Sequence, residues 1–346
     1  MKNLAKIVKT TVALVSAFAV AFTATGCTGA KSAKSKKEGL KITNVSYDPT
    51  RELYAAYNEE FKKQYKKDNG KDVEIVQSHG GSGSQARSVV EGAEADVVTL
   101  ALANDIALIE KAGLIDGGWI DEFDLDSSPY TSTIVFLVRK GNDKDIKDWD
   151  DLVKSGVEVI TPDPKSSGGA MWNFLAAWQF ATDKFGGDEA KTKDFMSKLY
   201  GNVTVMDSGA RGATTTFVEN GQGDVLIAWE NEAIATLKEY PDDYEMITPS
   251  ISILAQPSVA IVDENAKKDG TEKLCKAYLE GLYTDWAQEI IAENGYRPSN
   301  EEILKKHSKD FNLDIKLCNI NDFGGWSKAY EDFFADGAIF DEIYKK

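Results

Sequence analysis

Short apolar runs rich in β-branched residues alternate with helix-like patterns along most of this chain, and this alternation restricts the possible folds more than any other feature of the sequence. The first run covers residues 42–47, and after it apolar or aromatic residues recur every fourth position from Leu53 to Tyr65, as on one face of a helix. Comparable pairs of a run and a helix follow at 73–91 and 96–112. We therefore predict an α/β protein with parallel or mixed sheets flanked by helices.

The length of 346 residues and a second series of strand–helix pairs from about residue 157 predict two lobes. Two long β-branched stretches, 130–139 and 251–262, lie where the chain could pass from the first lobe to the second and back. Two crossing strands of this kind would form a hinge, which suits closure over a ligand. The predicted division is lobe 1 at 39–130 with about 255–346, and lobe 2 at 131–254.

The first 26 residues have the features of an export signal. Three lysines precede an apolar run at 12–22, which is too short for a transmembrane helix. The run ends in small residues before Cys27, a pattern typical of lipoprotein signals. We predict a signal peptide at 1–26, a lipid anchor on Cys27, a flexible tether at 27–38, and a location on the extracytoplasmic face of the cell membrane. An ordinary secretory signal with a chance cysteine is the alternative.

The acidic charge of the chain restricts its partners. The formal net charge is −16, and removal of the signal with its three lysines leaves 37 basic and 56 acidic residues, a net charge of −19. A charge of this sign argues against nucleic acid as a partner. It also means that an anion site must act through local dipoles rather than through long-range attraction.

Two cysteines, Cys275 and Cys318, remain besides Cys27. Their spacing leaves open whether they form a disulfide or stay free thiols. The chain has no C-x-x-C pair and only two histidines. The sequence therefore predicts no metal site and no cofactor.

Four turns rich in Gly, Ser and Asp lie where a predicted strand ends and a helix begins, at 48–50, 79–84, 165–170 and 207–212. Glycine lets a backbone come close to a ligand. The free N–H groups of a first helical turn, aided by the helix dipole, favour an anion. Capping alone could explain one such turn. Four turns, two in each predicted lobe, predict a two-lobed anion-binding protein.

Two of these regions extend into longer motifs, NVSYDPTRELY at 44–54 and QSHGGSG at 77–83. Both closely resemble the corresponding segments of the periplasmic sulfate-binding proteins. Further stretches that resemble the same family lie at 96–103, 129–141, 157–169, 207–217, 223–233, 297–298 and 323–326. The resemblance thus covers about the whole chain from residue 40.

The resemblance implies the two-lobed fold of type II periplasmic binding proteins, with sulfate buried between the lobes and held by uncharged donors alone. The implied donors are the backbone N–H groups of Asp48, Gly168, Gly169 and Ala210, the hydroxyls of Ser82 and Ser167, and the indole N–H of Trp229. The implied partners are sulfate and the membrane permease and ATPase subunits of an ABC uptake transporter. The protein itself would be a monomer without catalytic residues.

At three positions the chain departs from a residue that many family members carry, since Met171 replaces Arg, Asp163 replaces Asn and Ser84 replaces Lys. Each change removes a cation or adds an anion near a predicted binding turn. Another oxyanion, thiosulfate first and then molybdate or phosphate, is the main alternative ligand. An enzyme is disfavoured because no Gly-x-Ser-x-Gly elbow is present. A purely structural lipoprotein or adhesin would have no anion cleft.

Overall fold

The computed structural model describes residues 40–344, so the predicted signal peptide, Cys27 and the tether lie outside the described part of the chain. The strands are β1 Leu40–Tyr47, β2 Val73–Gly80, β3 Val97–Leu100, β4 Tyr130–Thr131, β5 Ile134–Arg139, β6 Val159–Pro162, β7 Val203–Asp207, β8 Val225–Trp229, β9 Tyr244–Ile247, β10 Ile251–Ile253, β11 Ser258–Ile261, β12 Arg297–Pro298 and β13 Lys316–Cys318.

The helices are α1 Arg51–Asn69, α2 Ser82–Val90, α3 Ala103–Lys111, α4 Asp124–Ser127, α5 Gly168–Lys184, α6 Glu189–Gly201, α7 Ala210–Val218, α8 Glu230–Glu239, α9 Asp263–Asp269, α10 Glu272–Gly281, α11 Asp285–Glu293, α12 Glu301–Lys306, α13 Trp326–Ala329 and α14 Ile339–Ile343. Short 3₁₀ turns lie at Asp48–Thr50, Trp119–Asp121, Trp149–Val153 and Ile320–Phe323, and a π-helical turn lies at Tyr330–Phe334.

The first main sheet has four strands in the order β11-β3-β1-β2. Strand β1 pairs in parallel with both β2 and β3, and β11 is antiparallel to β3. The register sets Tyr47 opposite Gly80, so the carboxyl ends of β1 and β2 lie side by side. The carboxyl ends of parallel strands are where open α/β sheets bind ligands.

The second main sheet has five strands in the order β7-β6-β8-β5-β9. Strand β6 is parallel to β7 and β8, whereas β5 is antiparallel to β8 and β9. The register pairs Pro162 with Asp207, and Trp229 ends the neighbouring strand β8. The carboxyl ends of β6, β7 and β8 therefore lie together. Both sheets are mixed, as predicted.

The two β-branched stretches predicted to form the hinge touch each other, but neither is one continuous strand. Each is broken, the first between β4 and β5 and the second between β10 and β11. At the break Ser132 and Ala255 form an isolated bridge with two N–H···O bonds of 2.9 Å. Beside it the Thr133 and Ser252 hydroxyls lie 2.7 Å apart. Local hydroxyl bonds thus replace the regular ladder at the crossing. The division into two lobes with the stated bounds stays a prediction.

Helix α5 carries the core towards the strand ends. Every residue of Gly168–Trp178 is buried, as expected for a helix that is apolar around its whole circumference. The apolar cluster around it also contains Tyr47 and Leu102 from the first sheet and Trp229 from the second. The apolar cores packed against the two sheets are therefore continuous next to the carboxyl ends of the strands.

Helix α1 shows how local pattern and packing agree. The predicted apolar face is confirmed, since Leu53, Tyr57 and Phe61 are each at most 4% exposed. The helix ends at Gly70, whose φ of +65° is the left-handed conformation that glycine adopts readily at helix C-termini.

The remaining two cysteines are buried free thiols, so the alternative without a disulfide is the one found. Burial raises the pKa of the thiols of Cys275 and Cys318 to about 12, which keeps them protonated. Between residues 40 and 344, no helix has both the length and the apolar character needed to cross a membrane. Over the same range, no cluster of His, Cys, Asp and Glu side chains is arranged to hold a metal ion.

Candidate functional site

The four predicted turns meet where the carboxyl ends of the two sheets face each other. Gly81, which precedes α2, is so close to the turns of the second sheet that an added Cβ would lie 3.2 Å from the Ser166 carbonyl oxygen and 3.9 Å from that of Ser208. Ser166 Oγ donates to the Ser208 carbonyl at 2.9 Å. The 3₁₀ turn Asp48–Thr50 contacts α7. The structure thus brings the segments that carry the predicted ligand residues together.

Helices α5 and α7 point unpaired N–H groups towards this meeting point. Their N-cap residues, Ser167 and Gly209, form no side-chain cap. The Ser167 carbonyl accepts from the N–H groups of residues 170 and 171, so the N–H groups of Gly168 and Gly169 have no acceptor within α5. Ala210 holds the same first position in α7. These three N–H groups are free to bind an anion.

Gly169 marks the most crowded point of the site. A Cβ added there would lie 2.1 Å from Tyr47 Oη and 3.2 Å from Trp229 Nε1. Only glycine leaves room for both side chains, which come from different sheets. The rings of Tyr47 and Trp229 lie 5.4 Å apart with planes tilted by 55°.

Trp229 is 2% exposed, and its indole N–H donates to the Gly169 carbonyl at 3.2 Å. The residue that follows it, Glu230, forms a buried bidentate ion pair with Arg297 at 2.6 and 2.8 Å, which fixes the position of Trp229. Two parallel charge-assisted bonds of this kind hold the strand end firmly. An anion would compete for the indole N–H with the Gly169 carbonyl, whose hydrogen bond to it is rather long.

Ser82 lies at the site, but its hydroxyl is already engaged. Ser82 Oγ donates to Asp105 Oδ2 at 2.5 Å and accepts from the Ala101 N–H at 3.0 Å. The hydroxyl proton assigned to sulfate by resemblance is therefore used inside the protein. What Ser82 can offer is its backbone N–H in the first turn of α2.

Asp48 likewise offers backbone rather than side chain. The Asp48–Thr50 turn has Tyr47 at its N-cap without a side-chain cap, and the Asp48 carboxylate instead pairs with Arg51 at 2.6 Å. Because the Asp48 carboxylate pairs with Arg51 and does not cap the turn, it does not accept a hydrogen bond from the Asp48 N–H. This is the group that the resemblance assigns to the ligand.

Two charged side chains flank the site without belonging to the predicted donor set. Glu232 is 4% exposed and lines a small cavity with Ala210 and Trp229. Its carboxylate accepts from the Thr214 hydroxyl at 2.9 Å and lies 3.4 Å from Arg211. Burial raises the pKa of Glu232, and the Arg211 charge and the Thr214 bond oppose that shift. Both carboxylate oxygens thus already have protein partners.

The three departures from the family pattern have local explanations. Asp163 Oδ1 accepts from the Lys165 N–H at 2.8 Å, which is an ordinary turn bond. Ser84 Oγ accepts from Arg87 at 3.3 Å. Met171 packs in the core at 8% exposure. Lys165 lies near the binding turns, but its ammonium is held by Asp341 and by the carbonyls of residues 334 and 335.

Three side chains that lie at or beside the site were not predicted from the sequence, namely Tyr47, Asp105 and Glu232. Tyr47 stood inside the recognised motif but looked like the end of a strand. Asp105 and Glu232 stand at the starts of α3 and α8, where an acidic residue is expected for the helix dipole alone. Their burial, at 7% and 4% exposure, is the signal that only the structure supplies.

Residues 42–297 match the family model described as bacterial extracellular solute-binding protein. The sulfate-binding protein of Escherichia coli is 56% identical over 309 residues, which cover 89% of this chain and 94% of the relative. The thiosulfate-binding protein of Pseudomonas aeruginosa is 44% identical over 305 residues, which cover 88% and 92%.

Solved structures agree in fold. The sulfate-binding protein SubI from Mycobacterium tuberculosis superposes with a TM-score of 0.77 at 34% identity, covering 85% of this chain and 99% of that protein. The periplasmic binding protein AfuA from Actinobacillus pleuropneumoniae has a TM-score of 0.63 at 17% identity over 84% and 96% of the two chains, so it is similar in fold alone.

Proposed function

Because the chain belongs to the bacterial extracellular solute-binding proteins and, among them, to the sulfate-binding protein family, we propose that it binds sulfate between its two sheets and delivers it to an ABC uptake transporter. Members of this family bind solutes and are not enzymes. The predicted α/β periplasmic-binding-protein fold is confirmed. The observation that carries the ligand proposal is that the four strand–helix turns lie together where the carboxyl ends of the two sheets face each other.

The proposed donors are the backbone N–H groups of Asp48, Ser82, Gly168, Gly169 and Ala210, the hydroxyl of Ser167 and the indole N–H of Trp229. An isolated dianion in a low-dielectric cleft would cost tens of kcal/mol. Hydrogen bonds to a charged partner contribute about 1.5–3 kcal/mol each after the loss of bonds to water is included, so seven donors supply a net of roughly 10–20 kcal/mol before the costs of ordering and closure. Micromolar binding needs about 8 kcal/mol. A site without a cation directly on the ligand is therefore sufficient.

Thiosulfate is the second candidate ligand. A thiosulfate-binding relative is 44% identical to this chain over 305 residues, against 56% over 309 residues for one sulfate-binding relative. The higher of these two identities supports sulfate, but two other sulfate-binding relatives are only 40% and 39% identical, so identity alone does not separate the two ligands. The donor set suits either anion, because both are tetrahedral dianions, although thiosulfate offers three oxygen acceptors and one sulfur where sulfate offers four oxygens.

Delivery requires that the protein stay near its transporter. We infer a lipid anchor at Cys27, which would hold the protein at the extracytoplasmic face of the membrane beside the permease. The support is the pattern of small residues before Cys27 and the polar segment after it. The ATPase subunit would act on the other side of that membrane.

Calorimetric titration of the protein without its lipid tests the ligand proposal. Sulfate, thiosulfate, molybdate and phosphate would be titrated separately into the same preparation. We expect sulfate to bind with micromolar or tighter affinity and to exceed thiosulfate. Tighter binding of another oxyanion would reassign the ligand, and no binding of any of the four would overturn the proposal.

A further inference from the structure

Two hydroxyl groups at the site are buried beside each other, and neither has a well-formed hydrogen bond to the protein. Tyr47 Oη and Ser167 Oγ belong to residues that are 1% and 0% exposed, and neither forms a hydrogen bond of good geometry within residues 40–344. Buried polar groups are rarely left in this way. The tyrosines of the nearby core show the usual pattern, since Tyr57 Oη donates to the Tyr278 carbonyl at 2.5 Å.

The position of the Tyr47 hydroxyl is as informative as its lack of a well-formed hydrogen bond. It lies against Gly169, whose N–H is a proposed ligand donor, and on the same side as Trp229 Nε1. The hydroxyl of Ser167, a second proposed donor, lies close enough to Tyr47 Oη to act as a weak hydrogen-bond partner, which opposes the rise in the Tyr47 pKa caused by burial. The phenol therefore stands among three of the proposed donors and not at the edge of the cleft.

The chemistry of this hydroxyl suits an anion. Burial raises the pKa of Tyr47 well above its usual value of 10, and the Glu232 and Asp48 carboxylates add to that shift, while the Ser167 hydroxyl opposes it. The phenol thus stays protonated at physiological pH and keeps an O–H to donate. It is neutral, like the other proposed donors, and it is held by packing against Trp229.

We propose that Tyr47 Oη is a further hydrogen-bond donor to the bound tetrahedral oxyanion, beside the donors that the family resemblance assigns. This inference rests on the proposed function. The four oxygens of sulfate can each accept about two hydrogen bonds, so an eighth donor is compatible with one ion. The donation would satisfy the one group of Tyr47 that the protein leaves without a well-formed hydrogen bond.

Tyr47→Phe tests the inference because it removes the hydroxyl and keeps the ring. We expect the Kd for sulfate to rise ten- to hundredfold, measured by calorimetry, as for the loss of one bond to a charged group. The thermal midpoint without ligand should stay unchanged or rise, since an unsatisfied buried hydroxyl is removed. Tyr57→Phe is the matched control, because it deletes a bonded hydroxyl in a separate buried cluster and should lower the midpoint while leaving the Kd unchanged.

The outcomes separate the two proposals. If the unaltered protein binds sulfate and Tyr47→Phe binds it within twofold, Tyr47 is not a donor and the proposed function stands. If both the midpoint and the affinity of Tyr47→Phe fall, the hydroxyl has a structural role and the inference is wrong. If the unaltered protein binds no oxyanion, the proposed function fails, and the inference fails with it.

Discussion

Arg211 and Glu52 form an ion pair of 2.8 Å between helices that start from different sheets. Glu52 is in the first turn of α1, which follows β1, and Arg211 is in the first turn of α7, which follows β7. Arg211 also faces the buried Glu232 at 3.4 Å. One guanidinium therefore joins an exposed carboxylate of one side of the cleft to a buried carboxylate of the other.

Glu52→Gln should weaken sulfate binding slightly. The two side chains are 58% and 37% exposed, so the pair contributes about 0–1 kcal/mol, or at most roughly fivefold in Kd. Titration at about 0.05 and 1 M salt measures the effect, which should disappear at the higher salt because the Debye length falls to about 3 Å. Glu59→Gln, which breaks a pair within α1, is the control. An unchanged Kd at low salt would mean that the bridge does not favour closure.

Trp229→Phe keeps most of the apolar bulk and deletes one donor. We expect the Kd for sulfate to rise ten- to hundredfold, from the loss of about 1.5–3 kcal/mol, with little change in stability without ligand. Trp149→Phe is a close control, since Trp149 Nε1 also donates to a buried carbonyl, that of Ile251 at 2.8 Å, away from the site. The control should lose stability and keep its affinity. Affinity of Trp229→Phe within twofold would place Trp229 in the core only.

Phosphate should bind at least a thousandfold more weakly than sulfate, a difference on the order of 4 kcal/mol. Phosphate keeps a proton between about pH 6 and 8, and that proton needs an acceptor in the cleft, whereas sulfate carries none. Two buried carboxylates lie beside the site, but Thr214 and Arg211 occupy the oxygens of Glu232, and Asp105 already accepts from Ser82. Titrations at pH 6 and 8 measure the ratio, and Glu232→Gln should leave it nearly unchanged. Comparable affinities for the two anions at either pH would contradict the sulfate assignment.

Asp105 should make stability fall as pH rises from about 4 to 6. Burial raises the pKa of this carboxyl to about 6, against the opposing effects of Ser82 and Arg87. In this window the unfolded chain loses the proton first, so the folded state holds more protons and loses stability as pH rises. The full penalty, on the order of 3 kcal/mol, is present above about pH 6 and absent below about pH 4.

Asp105→Asn removes that titration and keeps an oxygen that can accept from Ser82. Its unfolding free energy relative to the unaltered protein should increase between pH 4 and pH 8, as measured by urea denaturation at both values. Asp72→Asn, at a carboxylate on the surface, controls for the change in net charge. A constant difference between the two pH values would show that Asp105 does not titrate in this window.

Cys27→Ser should move the protein from the membrane fraction to the soluble extracytoplasmic fraction. Stable anchoring takes more than one acyl chain, and a lipidated cysteine would carry them together. Immunoblots of the separated fractions measure the distribution, with the sulfate affinity of the purified variant expected to be unchanged. Continued membrane retention would contradict the lipoprotein prediction.

The sequence was sufficient for those parts of the fold that depend on local pattern. Apolar spacing and turn residues located α1, α5 and all four strand–helix turns to within a few residues, because periodicity and capping act over short distances. The family motifs then predicted which turns carry donors. Their role in binding stays a prediction.

Contacts between distant segments could not be read in this way. The hydroxyl of Ser82 donates to Asp105, 23 residues away, and the Tyr47 hydroxyl lies against Gly169 in α5, more than a hundred residues later in the chain. The break at Ser132 and Ala255 also depends on two chain segments crossing. Each of these features is a tertiary contact that leaves no periodic trace in the sequence.

The hydroxyls of Tyr47 and Ser167 would make closure of the cleft unfavourable when no anion is bound. A closed molecule without cargo would bury both donors unsatisfied, at about 1–3 kcal/mol each, so that shape would be populated roughly thirty to tens of thousands of times less than the open one. A bound oxyanion removes this penalty. A transporter that recognises only the closed shape would then rarely bind a protein without its anion. Two hydroxyl groups would in this way help to restrict ATP hydrolysis to transport cycles in which an anion is delivered.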